Sequence, residues 1–141
     1  QTTGPEIWRD TQERVTHFVS SMGTTGTITG TSTYLKEQNS DIKIIGVQPK
    51  EGSRIPGIRK WSPDYVPSIY DSDKVDDIHY VSEHEAIQMA KRLAKEEGIF
   101  SGMSSGGAAT IALRLANSIK AGVIVSIVCD RGDRYLSSDI F

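Results

Sequence analysis

The sequence predicts an α/β domain, a parallel sheet with flanking helices, and three observations carry that prediction. Short apolar, β-rich runs recur at Val15 to Ser20, Ile42 to Gln48 and Val123 to Cys129. Longer segments with helical spacing lie between them. Glycine-rich turns, Gly23-Thr24-Thr25-Gly26-Thr27 and Gly102 to Gly107, stand ahead of two of those helical segments.

Along the chain, Pro5 to Glu13 reads as a short helix, with proline near its start. It leads into the strand Val15 to Ser20. After the first glycine turn, Ile28, Tyr34 and Leu35 give Ile28 to Gln38 a helical spacing, and Asn39 to Asp41 turn the chain into the strand Ile42 to Gln48. One βαβ unit is then complete. Lys50 to Tyr70 is rich in Gly, Pro, Ser, Arg and aromatics without periodicity, and an excursion of that length is the kind of segment that carries function. Ile78 to Val81 forms a further strand. Ser82 stands three residues before Glu85, a capping-box spacing, and Ala86, Ala90, Leu93 and Ala94 mark one face of a helix that Gly98 stops. The turn Gly102 to Gly107 opens a helix from Ala108 to Ser118, and the strand Val123 to Cys129 follows.

All 141 residues fit one α/β domain, 1–141, with residues 50–70 as its irregular excursion. No apolar run approaches a membrane span. Sixteen Lys plus Arg against eighteen Asp plus Glu give a net charge of -2 without a basic block, which excludes the electrostatic footprint of a nucleic-acid binder. Small molecules and protein are the expected partners. The lone Cys129 rules out an internal disulfide and points to a soluble protein in a reducing, cytoplasmic location. The first residues, Gln1-Thr2-Thr3-Gly4-Pro5, have neither an initiator Met nor a signal peptide, so the start reads as a cut end.

Where a strand hands over to a helix, the backbone NH groups of Gly23 to Thr27 and the helix dipole converge on a spot suited to an anion, with the hydroxyls of Thr24, Thr25 and Thr27 as further donors. An ordinary Gly/Thr turn is the alternative. The spacing is not G-x-G-x-x-G, and the second strand ends in Gln48-Pro49 where a dinucleotide site needs an acid. No Gly-Lys-Ser or Gly-Lys-Thr follows, so a nucleoside-triphosphate loop also fails. A non-nucleotide phosphate remains. Ser104 before an Ala-rich helix reads as a helix cap. Cys129 reads as a small buried residue at a strand end, not a nucleophile. His17, His79 and His84 have no metal-ligand spacing. The run from Lys91-Arg92 to Lys95-Glu96-Glu97 is the solvated face of its helix.

Ser21-Met22-Gly23-Thr24-Thr25-Gly26-Thr27 with Ile28-Thr29-Gly30 resembles the phosphate-binding loop of the cysteine synthase family. Ile55-Pro56-Gly57-Ile58-Arg59, Gly102-Met103-Ser104-Ser105-Gly106 and Cys129-Asp130-Arg131-Gly132-Asp133-Arg134-Tyr135-Leu136-Ser137 match further segments of that family in order, and favour its B type. The resemblance implies the larger part of a tryptophan-synthase-β-like fold, truncated at the N-terminus, and pyridoxal phosphate as cofactor. It implies that Gly23, Thr24, Thr25, Gly26 and Thr27 cradle the cofactor phosphate and that Ser104 contacts the pyridine nitrogen. Arg59 is either the site of an anionic sulfur donor or a solvated loop arginine. Near the end of the last strand, either Tyr135 or Asp133 could approach the cofactor, and the sequence does not choose between them.

The implied reaction converts O-acetylserine with sulfide or thiosulfate to cysteine or S-sulfocysteine plus acetate, by β-elimination and β-addition, in a homodimer. The resemblance also implies a cofactor lysine and a Ser/Thr-Gly-Asn loop in an upstream segment. None of the eight lysines, at positions 36, 43, 50, 60, 74, 91, 95 and 120, has that motif context, so no catalytic residue falls in this chain and the chain alone is expected to be inactive. Lacking sheet neighbours, it is expected to leave an edge and apolar surface unpaired. Two alternatives stand beside this reading, a cystathionine β-synthase-like enzyme of the same fold and a non-catalytic phosphate-binding module.

Overall fold

The computed structural model describes residues 2–141; Gln1, on which the expected cut end falls, lies outside them. The chain forms helix α1 (Thr3–Asp10), strand β1 (His17–Ser21), helix α2 (Gly26–Gln38), strand β2 (Lys43–Pro49), strand β3 (Asp77–Val81), helices α3 (Glu83–Glu97) and α4 (Met103–Ser118), and strand β4 (Ile124–Ser126). The sheet runs in the order β3-β2-β1-β4 with every neighbouring pair parallel. Successive residues of the central strands point to opposite faces. Phe18 and Ile44 therefore pack with Ile7, Ile28 and Leu35 of α1 and α2, while Val19 and Ile45 pack with Ala86 of α3 and Ile111 of α4. Phe18, Val19 and Ile44 are fully buried, and each such side chain contributes about 1.5 to 3 kcal/mol. Parallel strands with helices on both faces are the predicted architecture.

Strands β1, β2 and β3 differ from the sequence reading by one or two residues at an end, and four further boundaries differ for a physical reason. Helix α1 lies at Thr3–Asp10, not Pro5 to Glu13, because Gln12 and Glu13 take positive φ (52° and 65°) and reverse the chain. Helix α2 begins at Gly26 rather than Ile28, taking in the end of the glycine turn. Helix α4 begins at Met103, so the expected turn from Gly102 to Gly107 is mostly helix. Gly106 faces α3, where an added Cβ would strike the Ala86 carbonyl and approach Ala90 N to 3.0 Å. Close packing of two helices thus overrides a propensity penalty of about 1 kcal/mol for a helical glycine. Strand β4 is shorter than the apolar run, because the chain leaves the ladder and Cys129 N donates to Ser105 Oγ at 3.1 Å.

The excursion contains one 3-10 turn, Pro63–Tyr65, and a bridge between Ile55 and Ile58 that tucks both side chains into the core. Strands β3 and β4 are the sheet edges, and Phe100, Leu113 and Val128 are exposed. Among the described residues no helix is long and apolar enough to cross a membrane.

The expected capping box is formed: Ser82 Oγ accepts from Glu85 N at 3.2 Å, and Ser82 N donates to the Glu85 carboxylate at 2.7 Å. Lys50 Nζ reaches the same carboxylate at 3.1 Å, and Arg114 of α4 pairs with it as well. The Ser82 amide first, then Lys50 and Arg114, hold the Glu85 carboxyl down at about 2. A depressed folded-state value stabilises above the ordinary 4.5 and stops doing so as pH falls toward 2. Replacing Glu85→Gln is expected to cost about 1 to 2 kcal/mol at pH 7. Urea unfolding followed by circular dichroism should show that difference shrinking below pH 4.5 and vanishing near pH 2.

Candidate phosphate-binding site

Strand β1 ends at Ser21, and the chain turns through Gly23, Thr24 and Thr25 before α2 begins. Thr25 is the N-cap residue yet holds φ +70°, a left-handed conformation that a β-branched residue adopts only under strain of about 1 to 3 kcal/mol. Its side chain makes no capping hydrogen bond. Its hydroxyl is buried without a partner, although the residue is only 3% exposed. The first turn of α2 contains no acid, and the helical ladder starts with Thr29 N donating to Thr25 O at 3.0 Å. The amides before it have no helical partner, and the helix dipole makes that spot positive. Free amides, a buried unpartnered hydroxyl and no local negative charge together fit a phosphate.

The excursion packs directly onto this loop. Arg59 N donates to Met22 O at 2.7 Å, and Trp61 Nε1 donates to Gly23 O at 2.8 Å. The Arg59 guanidinium lies 5.5 Å from the centre of the Trp61 ring. Gly57, at φ +86°, needs to be glycine twice over: its conformation is left-handed, and an added Cβ would lie 3.2 Å from Ser104 Oγ. A Cβ at Gly23 would in turn meet Gly57 O at 2.9 Å. The resulting cavity, about 280 Å³, is lined by Ser21, Gly23, Thr24, Thr25, Thr27, Ile28, Gly57, Arg59 and Cys129. A larger open cleft of about 1230 Å³ runs between residues 49–61 and the carboxy-terminal segment, and Arg59 borders both spaces.

The sequence-predicted residues are therefore brought together in part. Gly23, Thr24, Thr25 and Thr27 share one cavity with Arg59, whereas Gly26 borders the neighbouring groove formed with α1 and can join the cradle through its amide. Ser104 does not cap a helix. The N-cap of α4 is Gly102, and Ser104 lies inside the first turn, buried against Gly57, with its carbonyl accepting from Ser21 Oγ at 2.7 Å. Cys129 is not the buried strand residue expected: it is exposed, lies beyond β4 and lines the cavity. Its thiol is nonetheless pushed up from the ordinary value by desolvation, against an opposing contact with Ser104, which keeps it a poor nucleophile.

Tyr135 borders the larger cleft and donates to Asp130 Oδ2 at 2.5 Å, while Asp133 pairs with Arg131 at 3.1 Å in solvent. Neither lines the phosphate cavity. His17 contacts Thr16 Oγ1, and His79 pairs with Asp77; among the described residues no cluster of three or more His, Cys, Asp or Glu side chains is gathered. Sequence reasoning from composition and spacing missed Ser21, Gly57 and Trp61. Gly57 alone left a signal, the Pro56-Gly57 turn.

Residues 1–130 match the family model described as pyridoxal-phosphate dependent enzyme. The chain is 58% identical over 139 residues to cysteine synthase B of Pseudomonas aeruginosa and 54% identical over 140 residues to cysteine synthase B of Escherichia coli, covering 99% of this chain in each case. It spans 46% of the length of those relatives. Among solved structures, cysteine synthase of Entamoeba histolytica superposes with a TM-score of 0.91 at 38% identity, covering 99% of this chain and 44% of that one. O-acetylserine dependent cystathionine β-synthase of Helicobacter pylori superposes with a TM-score of 0.86 at 34% identity, covering 100% of this chain and 48% of that one.

Titrating the chain with inorganic phosphate is expected to shift the backbone amide resonances of Gly23 to Ile28, observed in nitrogen-15 correlation spectra. Gly23→Ala, whose Cβ meets Gly57 O, should weaken that binding by about tenfold or more, from misdirecting one or two charge-assisted hydrogen bonds.

Proposed function

This chain belongs to the family of pyridoxal-phosphate dependent enzymes, and we propose that it is the phosphate-anchoring, carboxy-terminal portion of a cysteine synthase of the B type. The observation that carries the proposal is the uncapped start of α2, where Thr25, its hydroxyl buried without a partner, lines a cavity shared with Arg59. In the proposed enzyme the amides of Gly23 to Thr27 and the hydroxyls of Thr24, Thr25 and Thr27 hold the cofactor phosphate. Ser104, from the start of α4, hydrogen-bonds the pyridine nitrogen. When bound, pyridoxal phosphate supplies the electron sink for cleavage next to the amino acid's α-carbon. A neutral serine cannot hold the ring nitrogen protonated, so that sink is moderate, which favours β-elimination over transamination.

Arg59 would bind an anionic sulfur donor. Its guanidinium makes no ion pair among the described residues and stands at the junction of the phosphate cavity and the larger cleft, through which a second substrate could arrive. A cation–π contact with Trp61 positions the guanidinium without using its NH donors. The substrates proposed are O-acetylserine with sulfide or thiosulfate, and the products cysteine or S-sulfocysteine with acetate. The lysine that moves the α-proton would lie in the part of the relatives that this chain does not span, so the chain by itself would not turn over. A cytoplasmic homodimer is part of the same proposal. A cystathionine β-synthase-like specificity is the second reading, favoured by the superposition on the Helicobacter pylori enzyme.

The test is turnover by this chain joined to a lysine-bearing amino-terminal portion, assayed with O-acetylserine and, in turn, sulfide, thiosulfate and homocysteine. Cysteine or S-sulfocysteine is expected; homocysteine as the preferred acceptor would establish the second reading, and no turnover with any acceptor would overturn both. Ser104→Ala should lower kcat/KM about 10- to 100-fold, the loss of one hydrogen bond to a ring nitrogen. Arg59→Ala should raise KM for thiosulfate, whose oxygens suit a guanidinium fork, by a similar factor while leaving turnover with sulfide, which has no such oxygens, within about twofold.

A further inference from the structure

The exposed faces of two helices differ in a way that their own contacts do not explain. Helix α3 presents Lys91, Arg92, Lys95, Glu96 and Glu97 to solvent, the ordinary composition of a wetted surface. Helix α2 carries no charged residue from Gly26 to Leu35, although Thr27 and Gly30 are exposed and Thr33 and Tyr34 only half-buried. Four threonines and two glycines in that stretch are poor helix formers, so α2 depends on what packs against it. Ile28, Thr31, Ser32 and Leu35 supply that packing on the inner side. Gly30 has no such reason on the outer side. A Cβ there would meet nothing within 4 Å, in contrast to Gly106, which the backbone of α3 requires. Depletion of charge and a mid-helix glycine without a local cause mark a face that another element covers. This face is one wall of an open groove of about 650 Å³, and the start of α1, Thr3 to Pro5, is the other. Gly4 packs so closely on Tyr34 that a Cβ would come within 2.8 Å of the Tyr34 Cβ, which fixes the two walls relative to each other.

We propose that this groove, between the uncharged face of α2 and the start of α1, is the seat of the lysine-bearing amino-terminal portion of the enzyme. The identity of that occupant rests on the proposed synthase reading. More than half the length of the curated relatives lies outside this chain, which spans 46% of it. On that reading the lysine-bearing part precedes Thr2, and Thr3 lines the groove. The occupant is therefore tethered at the groove itself. A short tether gives it an effective concentration on the order of millimolar, an advantage that a second copy of the chain lacks. Gly30 lets the incoming backbone approach closely, as Gly106 does between α3 and α4. Thr27 lines both the groove and the phosphate cavity, so the docked portion stands directly beside the phosphate.

The test uses the joined protein of the turnover assay, with introduced cysteines alkylated by N-ethylmaleimide and read peptide by peptide in a mass spectrometer. Glu37 lines the groove and Lys91 lies on the solvated face of α3, and both are exposed in this chain. In the joined protein, Glu37→Cys is expected to react about tenfold or more slower than Lys91→Cys; in this chain alone the two should agree within about threefold. Adding Gly30→Arg to the joined protein should restore most of the lost rate, because the new side chain fills the groove. Equal rates for Glu37→Cys and Lys91→Cys in the joined protein overturn the inference. Slow alkylation of Glu37→Cys in this chain alone, relieved by dilution, assigns the groove to a second copy and overturns it as well. If a variant does not fold, hydroxyl-radical oxidation of Tyr34 in the unmodified proteins decides: slower oxidation in the joined protein upholds the seat, and equal oxidation overturns it. Turnover by the same joined protein reads the synthase proposal separately. Protection without turnover upholds the seat and overturns that proposal, whereas turnover without protection overturns the seat alone.

Discussion

The start of α2 is the constraint around which the rest of the molecule is arranged. A parallel sheet delivers its strand ends to one side, and the turn from β1 into α2 leaves a helix start without an internal partner. That is an energetic debt in an isolated domain: free amides, a left-handed threonine and a buried unpartnered hydroxyl are all costly. The surrounding elements preserve this arrangement. The excursion binds the loop through Arg59 N and Trp61 Nε1, and Ser21 ties it to α4. An anion at that point would satisfy the free amides.

The second organising theme is the absence of side chains where elements meet. Helices α3 and α4 approach through Gly106, and the excursion slips between the loop and α4 through Gly23 and Gly57. These contacts put the cavity, Ser104 and Arg59 within one small region, although they come from segments more than seventy residues apart in places. The base of the excursion is fixed separately, by Lys50 on the Glu85 carboxylate that also closes the capping box and receives Arg114. The carboxylate thus joins the excursion to both helices of one face.

Much of this was legible in the sequence, because local signals carried it. The short continuous apolar runs of β1 and β2, the Ser82 and Glu85 capping box, and Gly98 as a left-handed terminator all depend on neighbours within a few residues. The loop that lines the small cavity was legible for the same reason, since Gly23 to Thr27 holds its glycines and hydroxyls in one short run. The start of α4 was not, because glycine signals a turn locally and only the backbone of α3 across the interface makes it helical. Cys129 was misread because an apolar run does not reveal that its last residues leave the sheet to reach Ser105. The position of Ser104 came from resemblance, and from spacing alone it read as a cap.

Gly23, Gly57 and Ser104 form a stack in which each contact fixes the next: a Cβ on residue 23 would press on Gly57 O at 2.9 Å, and a Cβ on residue 57 would press on Ser104 Oγ at 3.2 Å. Such a stack has the character of a spacer gauge, in which the thickness of a missing methyl group sets the gap between the glycine loop and α4. Sequence drift at these three positions is then not independent. A side chain gained at 57 would push the loop and the helix apart and misplace both ends of any ligand that spans them, so the three positions are constrained to change together or stay as they are.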